Sequence, residues 1–257
     1  MITKKYECAK IETHTSAYGV FTMTIHAPQI AKDALPGQFV MVYLGEGEHL
    51  LPRPISLYNV DKAKGEITLV YAIAGKGTKV ISEWPVGHTL QVLGPLGNGF
   101  DLENFKAGDR VALVGGGIGI PPLYLLAKEL NKLGVWMDVY LGFRSEIPQL
   151  CKCFETLADN LCIVTEDGQG KNKGYVTDFL PENPGYASIL SCGPIPMLKS
   201  LAAYAKTKNI PCQVSVEERM ACGLGACKGC VVKTMVGYQL CCLNGPVFDS
   251  KEVNWDG

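Results

Sequence analysis

The chain has 257 residues, 47% of them hydrophobic and 19% charged, with a formal net charge of -1; this composition excludes a disordered polymer and fits one large domain or about two to three small ones. So little net charge excludes a strong field drawing nucleic acid or an anionic membrane surface. The opening MITKKYECAK has neither the apolar core nor the cleavage site of a secretory signal, and the most apolar stretch, Val111 to Ala127, is too short and too broken by glycine and proline to span a bilayer, so a cytoplasmic location is expected.

Residues 1 to about 100 read as strands and turns. VFTMTIHAP, GQFVMVYLG, EITLVYAIAG and TLQVLGPLG are rich in β-branched and aromatic residues, several alternate with period two, and Gly, Pro and Asp separate them. No helical periodicity competes, so an antiparallel barrel or sandwich is expected. Near Asp101 the pattern changes. VALVG is a short apolar strand, followed by a glycine turn and a helix over PPLYLLAKELNKL, with Leu123, Leu126, Ala127, Leu130 and Leu133 on one face. Strand WMDVYLG, helix IPQLCKCFETLA, strand LCIVTED, a short helix around Tyr175 to Leu180, strand ASILSCG and helix PMLKSLAAYAKT follow. Such alternation predicts a doubly wound parallel sheet. From Cys212 the chain is short and rich in cysteine and glycine.

Of eleven cysteines, Cys222, Cys227, Cys230, Cys241 and Cys242 fall in the last 36 residues. Cys222-x4-Cys227-x2-Cys230, then eleven residues, then Cys242, has the plant-type spacing of [2Fe–2S] ligands. Gly223, Gly225 and Gly229 suit the tight curl such a loop needs. A structural zinc site also takes four cysteines, but usually as two short knuckles, whereas here three ligands share one loop and the fourth stands apart. Successive side chains of a strand face opposite ways, so only one of Cys241 and Cys242 is expected to reach the metal, and Cys242 is favoured. Cys8, Cys151, Cys153, Cys162 and Cys212 lack ligand spacing and are expected mostly in the core.

Gly115-Gly116-Gly117-Ile118-Gly119 joins a strand to a proline-led helix, where glycines admit a pyrophosphate and the helix start offers N–H groups; Ile120 breaks the strict dinucleotide fingerprint. Cys192-Gly193-Pro194 forms a second turn at a strand's C-terminal end, and ligand binding or simple packing suits it equally. Arg53-Pro54-Ile55-Ser56 offers a guanidinium for a pyrophosphate and a hydroxyl for a flavin, and Gly75-x-Gly77-Thr78 offers N–H groups and a hydroxyl; singly, each also suits an ordinary surface turn.

In order, R-P-I-S, G-x-G-T, G-P-L-G, V-G-G-G-I-G-I-P-P and C-G-P-x-P-M resemble the ferredoxin–NADP reductase superfamily. That resemblance covers residues 1 to about 210 and implies an antiparallel FAD-binding barrel over 1–101 and a nucleotide-binding α/β domain over 102–211; the cysteine spacing adds a [2Fe–2S] domain over 212–257. Arg53, Pro54, Ile55, Ser56, Val70, Tyr71, Ala72, Gly75, Gly77 and Thr78 would hold FAD. Gly115, Gly116, Gly117, Ile118, Gly119, Cys192 and Gly193 would flank the nicotinamide nucleotide. Glu217 or Glu218 with Arg219, Met220 and the first three cysteines, then Cys242, Gly245, Pro246, Val247 and Phe248, resemble the electron-transfer subunits of dihydroorotate dehydrogenase B, over essentially the whole chain. That family implies NAD, electron transfer in pyrimidine biosynthesis, and an FMN-containing catalytic subunit in a two-plus-two heterotetramer. Nothing suggests a dihydroorotate pocket, so no catalytic base is named. Arg144 suits a 2′-phosphate or solvent equally. A related NAD(P)H:ferredoxin oxidoreductase or sulfhydrogenase-type subunit is the alternative, and a zinc-binding interaction protein the alternative of another class.

Overall fold

The computed structural model describes residues 4–45, 50–145 and 147–256. Six strands, β1 (Lys5–Ala17), β2 (Val20–His26), β3 (Phe39–Tyr43), β4 (Arg53–Asp61), β5 (Glu66–Ala72) and β6 (Thr89–Leu96), close into a barrel of order β1-β2-β5-β4-β3-β6. The β1–β2 hairpin turns on Tyr18 (φ 51°) and Gly19 (φ 75°), two positive values that match the twist of the flanking strands. Ile11, Met23, Ile25, Val40, Leu57, Ile67 and Leu69 fill the interior. Two short helices interrupt the expected all-strand reading: α1 (Pro28–Asp33) and α2 (Lys76–Ser82). Each is too short to show a helical period.

Beyond the barrel run β7 (Arg110–Gly116), α3 (Pro121–Lys132), β8 (Trp136–Phe143), α4 (Pro148–Lys152), β9 (Asn160–Thr165), β10 (Asn172–Lys173), β11 (Ser188–Cys192), α5 (Ile195–Lys208), β12 (Cys212–Ser215), β13 (Val231–Thr234), β14 (Gly237–Leu240), α6 (Cys241–Asn244) and β15 (Val247–Asp249). Seven of these strands form one sheet of order β10-β9-β8-β7-β11-β12-β15, parallel except for β15. α3 and α5 cover opposite faces, which makes the sheet doubly wound as expected. Leu123, Leu126, Ala127 and Leu130 are fully buried, whereas Leu133 caps the helix at 40% exposure and leaves the predicted face. The helix expected over IPQLCKCFETLA reaches only Lys152, and the Tyr175–Leu180 helix is a single 3-10 turn, Val176–Phe179. No helix among the described residues is long and apolar enough to cross a membrane.

The cysteine-rich segment is hung from this sheet. β12 pairs in parallel with β11, and β15 returns antiparallel to β12 with Val214 opposite Phe248. The expected boundary between residues 211 and 212 therefore falls inside the sheet, because burying Val214 and Phe248 requires the strand partners that β11 supplies. The cysteine loop is an excursion between β12 and β15, and one core joins Phe39, Met41 and Leu96 of the barrel to Cys230, Cys241 and Cys242. α3 ties the barrel to the sheet, with Tyr58 stacked on Tyr124 at 4.6 Å and Lys128 Nζ donating to Asn59 Oδ1 at 2.7 Å.

Candidate functional site

β4 begins and β5 ends beside α2, and there Arg53 lies on the backbone of Gly77. A Cβ on Gly77 would sit 2.1 Å from Arg53 Nε and 2.5 Å from its Cζ, so only glycine lets the guanidinium approach. Thr78 Oγ1 accepts the N–H groups of Ala74 (2.9 Å) and Gly75 (3.2 Å), shaping the turn around an open Gly75. A cleft of ≈ 230 Å³ opens alongside, walled by Pro54, Ile55, Ser56, Val70, Tyr71, Ala72 and Thr78 of the barrel segment, among others. Ile118 and Pro122 come from the sheet segment, and Ser215, Val216, Glu217, Glu218, Met220 and Pro246 from the cysteine-rich segment. Three stretches far apart in sequence share one cavity.

The C-terminal edge of the parallel sheet, where open α/β folds bind ligands, forms the cleft's flank. Gly115, Cys192 and Ser215 stand side by side on β7, β11 and β12. A Cβ on Gly119 would lie 2.6 Å from Gly193 Cα, and one on Gly193 3.0 Å from Gly116 N, so the two predicted turns are pressed together. Gly115 and Gly116 likewise lack room for a Cβ, against Ile120 and against Met197 and Pro194. These four glycines serve packing between turns. Gly117 (φ 53°) differs, because open space surrounds its Cα. Cys192 is buried, and desolvation, then the nearby Glu217 charge, pushes its thiol up to about 12. Desolvation also raises the carboxyl of Glu217.

Within the cysteine loop, Gly223 (φ 68°) and Gly225 (φ 79°) take the left-handed turns expected of them. Gly229 does not; Lys228 does, at φ 55°. A Cβ on Gly223 would meet Met41 Cγ at 2.6 Å, so the loop lies directly on the barrel. The N–H groups of Leu224 (3.3 Å) and Cys227 (3.5 Å) donate to Cys222 Sγ, that of Gly225 to Cys242 Sγ (3.2 Å), and that of Cys242 to Cys230 Sγ (3.4 Å). Burial works against ionising Cys222, but the N–H groups of Cys227 and Leu224 prevail and bring its thiol down to about 6. The thiols stand as two pairs, Cys222 with Cys227 and Cys230 with Cys242. Among the described residues, no group of three or more His, Cys, Asp or Glu side chains surrounds a single metal position. Cys241 turns away and donates its thiol to Val216 O at 3.2 Å. The pair diverges because it begins the helical turn α6, not because it alternates along a strand.

Residues 7–100 match the oxidoreductase FAD-binding domain, and residues 217–254 match the iron–sulfur cluster binding domain of dihydroorotate dehydrogenase B. The electron transfer subunit of dihydroorotate dehydrogenase B (NAD(+)) from Lysinibacillus sphaericus is 43% identical over 241 residues, covering 90% of this chain and 91% of that protein. The chain belongs to the dihydroorotate dehydrogenase B electron transfer subunits. The family member from Bacillus pumilus is 41% identical over 97% of this chain and 98% of its own length. In three dimensions, a solved chain of an NADH-dependent reduced ferredoxin–NADP oxidoreductase superposes with a TM-score of 0.86 at 31% identity, covering 97% of this chain and 91% of that one.

Family membership makes the chain an oxidoreductase component for electron transfer, with an FAD-binding domain and an iron–sulfur domain. Sequence reasoning missed Phe39, Ala74, Pro122, Ser215 and Val216 in the cleft wall. Phe39 and Ala74 carry no motif, and Pro122 closes the V-G-G-G-I-G-I-P-P run without being singled out as a site residue. Ser215 and Val216 directly precede the quoted Glu217–Cys222 run, and only the placement of β12 in the sheet would have drawn attention to them.

Proposed function

We propose that this chain is the electron transfer subunit of an NAD-dependent dihydroorotate dehydrogenase of pyrimidine biosynthesis, acting in the cytoplasm with an FMN-containing catalytic subunit, two copies of each. Arg53, Gly75, Gly77 and Thr78 would hold the FAD pyrophosphate, and Pro54, Ile55, Ser56, Val70, Tyr71 and Ala72 the rest of FAD along the cleft. Cys222, Cys227, Cys230 and Cys242 would ligate a [2Fe–2S] cluster. NAD would lie at the sheet edge over Gly117 and Ile118, on the platform made by Gly115, Gly116, Gly119, Cys192 and Gly193. The residue types fit these groups. A guanidinium seated on a glycine turn suits a pyrophosphate, and paired thiols with N–H groups aimed at their sulfurs suit two irons better than one zinc.

One observation carries the reading. The cleft wall includes Met220, two residues before Cys222, and Pro246, four residues after Cys242, so the cluster loop and the flavin cleft are built from the same short stretches. When bound, a flavin exchanges two electrons with a nicotinamide and single electrons with an iron–sulfur centre. The chain's own part is to hold the three groups in that order and to keep the thiols against the barrel. The ferredoxin–NADP oxidoreductase relative supports a second reading in the same class, yet its 31% identity is below the 43% and 41% of the dihydroorotate dehydrogenase subunits.

The test is anaerobic purification of the native complex and, separately, of this chain alone. The chain alone should carry FAD and equal amounts of iron and acid-labile sulfide, and reduce dyes with NADH without oxidising dihydroorotate. A colourless, iron-free preparation overturns the cluster assignment. Dihydroorotate oxidation by the isolated chain overturns the division of labour.

A further inference from the structure

The Gly94-Pro95-Leu96-Gly97 run contributes to neither the cleft wall nor the ligand set. The residue that follows it, Asn98, binds to the segment that joins these two places. Asn98 Nδ2 donates to the carbonyls of Asn244 (2.8 Å) and Leu243 (3.4 Å), and its backbone N–H donates to Gly245 O (2.6 Å). Asn98 also bridges Pro246. Every residue between Cys242 and the cleft residue Pro246 is thus tied to one side chain and its backbone. From the barrel side, buried Gln38 donates through Nε2 to Gly97 O (2.8 Å) and accepts Leu35 N–H (2.8 Å). A Cβ on Gly97 (φ 76°) would lie 2.5 Å from Pro246 Cδ, so the two segments are in direct contact.

The segment needs such a tie. α6 has only four residues, too few for a self-supporting helix. Its other anchors lead to the sheet and to the loop itself, through Val216 N–H to Pro246 O (2.8 Å) and Cys241 N–H to Cys230 O (2.8 Å). We propose that Asn98 is a positioning residue that fixes Leu243–Pro246, and with it the Cys242 thiol, against the barrel at a set distance from the flavin cleft. It holds no cofactor and carries no charge. The inference rests on the functional reading above and adds to it a residue outside both sites.

The experiment uses the chain loaded with FAD and cluster, prepared anaerobically, and its Asn98→Ala, Asn98→Asp and Asn98→Gln forms. Asn98→Asp keeps the shape but sets a carboxylate against two carbonyl oxygens. Asn98→Gln keeps an amide donor on a longer arm. Amide exchange across 243–245 should rise by about tenfold in Ala and Asp, the loss of one net hydrogen bond. With NADH as reductant, the flavin as two-electron acceptor and the cluster as one-electron acceptor, flavin reduction should stay within about twofold of the parent. Cluster reduction should slow by about tenfold, since ångström-scale misplacement costs up to about a hundredfold. The paramagnetic resonance spectrum of the reduced cluster should broaden in Ala and Asp and recover in Gln. Unchanged exchange and cluster reduction overturn the proposal, as does an equal slowing of both reductions with a lowered melting temperature. An unsubstituted chain lacking flavin or cluster overturns the functional reading itself, and the inference with it.

Discussion

Gly77→Ala separates cofactor binding from folding. The new methyl would stand 2.1 Å from Arg53 Nε and 2.5 Å from both Cζ and Nη2, so the guanidinium must leave its seat. It is the far end of a flexible side chain, held otherwise by Nη1 donating to the carbonyls of Leu51 (2.6 Å) and Pro52 (3.4 Å), and the backbone need not yield. Residue 77 lies within α2, where alanine is favoured over glycine by about 1 kcal/mol. The melting temperature should therefore hold or rise by about 2–4 °C. FAD affinity should move the other way. One charge-assisted contact with a phosphate is worth about 1.5–3 kcal/mol, so the dissociation constant should rise by about ten- to a hundredfold. Titrating the flavin-free chain with FAD, by calorimetry or fluorescence quenching, measures this. Arg53→Ala should lose a similar amount, and the double variant little more, because both remove one interaction. Affinity within twofold of the parent, additive losses, or a melting temperature lowered by more than about 5 °C would refute the reasoning.

Gly119→Ala sets a methyl against the rigid backbone of Gly193 and should cost about 1–3 kcal/mol, a fall of about 2–12 °C in melting temperature. Gly117→Asn keeps a residue tolerant of the left-handed conformation, so stability should change by less than about 0.5 kcal/mol while the KM for NADH rises; an unchanged KM would move the nucleotide away from this turn. Cys242→Ser should lose iron and the cluster's share of the visible absorption, leaving the flavin's, whereas Cys241→Ser should keep both, its hydroxyl still reaching Val216 O; the reverse pattern would exchange the ligand. His14 Nδ1 donates to Trp84 O (2.8 Å) and Nε2 shares a hydrogen bond with the Tyr71 hydroxyl (2.8 Å), tying β1 to both ends of the segment that carries Gly75, Gly77 and Thr78. His14→Ala should cost about 1–3 kcal/mol, read by thermal unfolding with and without FAD; no change would show that these bonds contribute nothing.

Much of the architecture is legible in the chain. The period-two run of Ile67, Leu69 and Tyr71 marks a barrel strand, and the unbroken Val111–Val114 a central parallel one, because side-chain periodicity follows directly from which faces are buried. α1 and α2 escaped because six or seven residues hold too few turns to display a helical stripe. The cysteine spacing is equally local: three cysteines in nine residues must share one loop wherever that loop is placed.

What spacing does not encode is which distant segments meet. The chemistry of Arg53, of Gly77 and of the four thiols belongs to residue type and near neighbours, and the sequence determined it, together with the order barrel, sheet, cysteine loop. Only the tertiary structure decided that β12 and β15 complete the sheet, so that Ser215 and Met220 enter the cleft walled by Ser56 and Thr78. It also turned Cys241 toward Val216 while Cys242 faced Gly225, and placed Asn98 over Leu243–Pro246. The reason is physical. Torsional and periodic preferences act over a few residues, whereas strand pairing and tertiary hydrogen bonds join residues far apart in the chain, 146 positions in the case of Asn98 and Asn244, and depend on the whole core being filled at once.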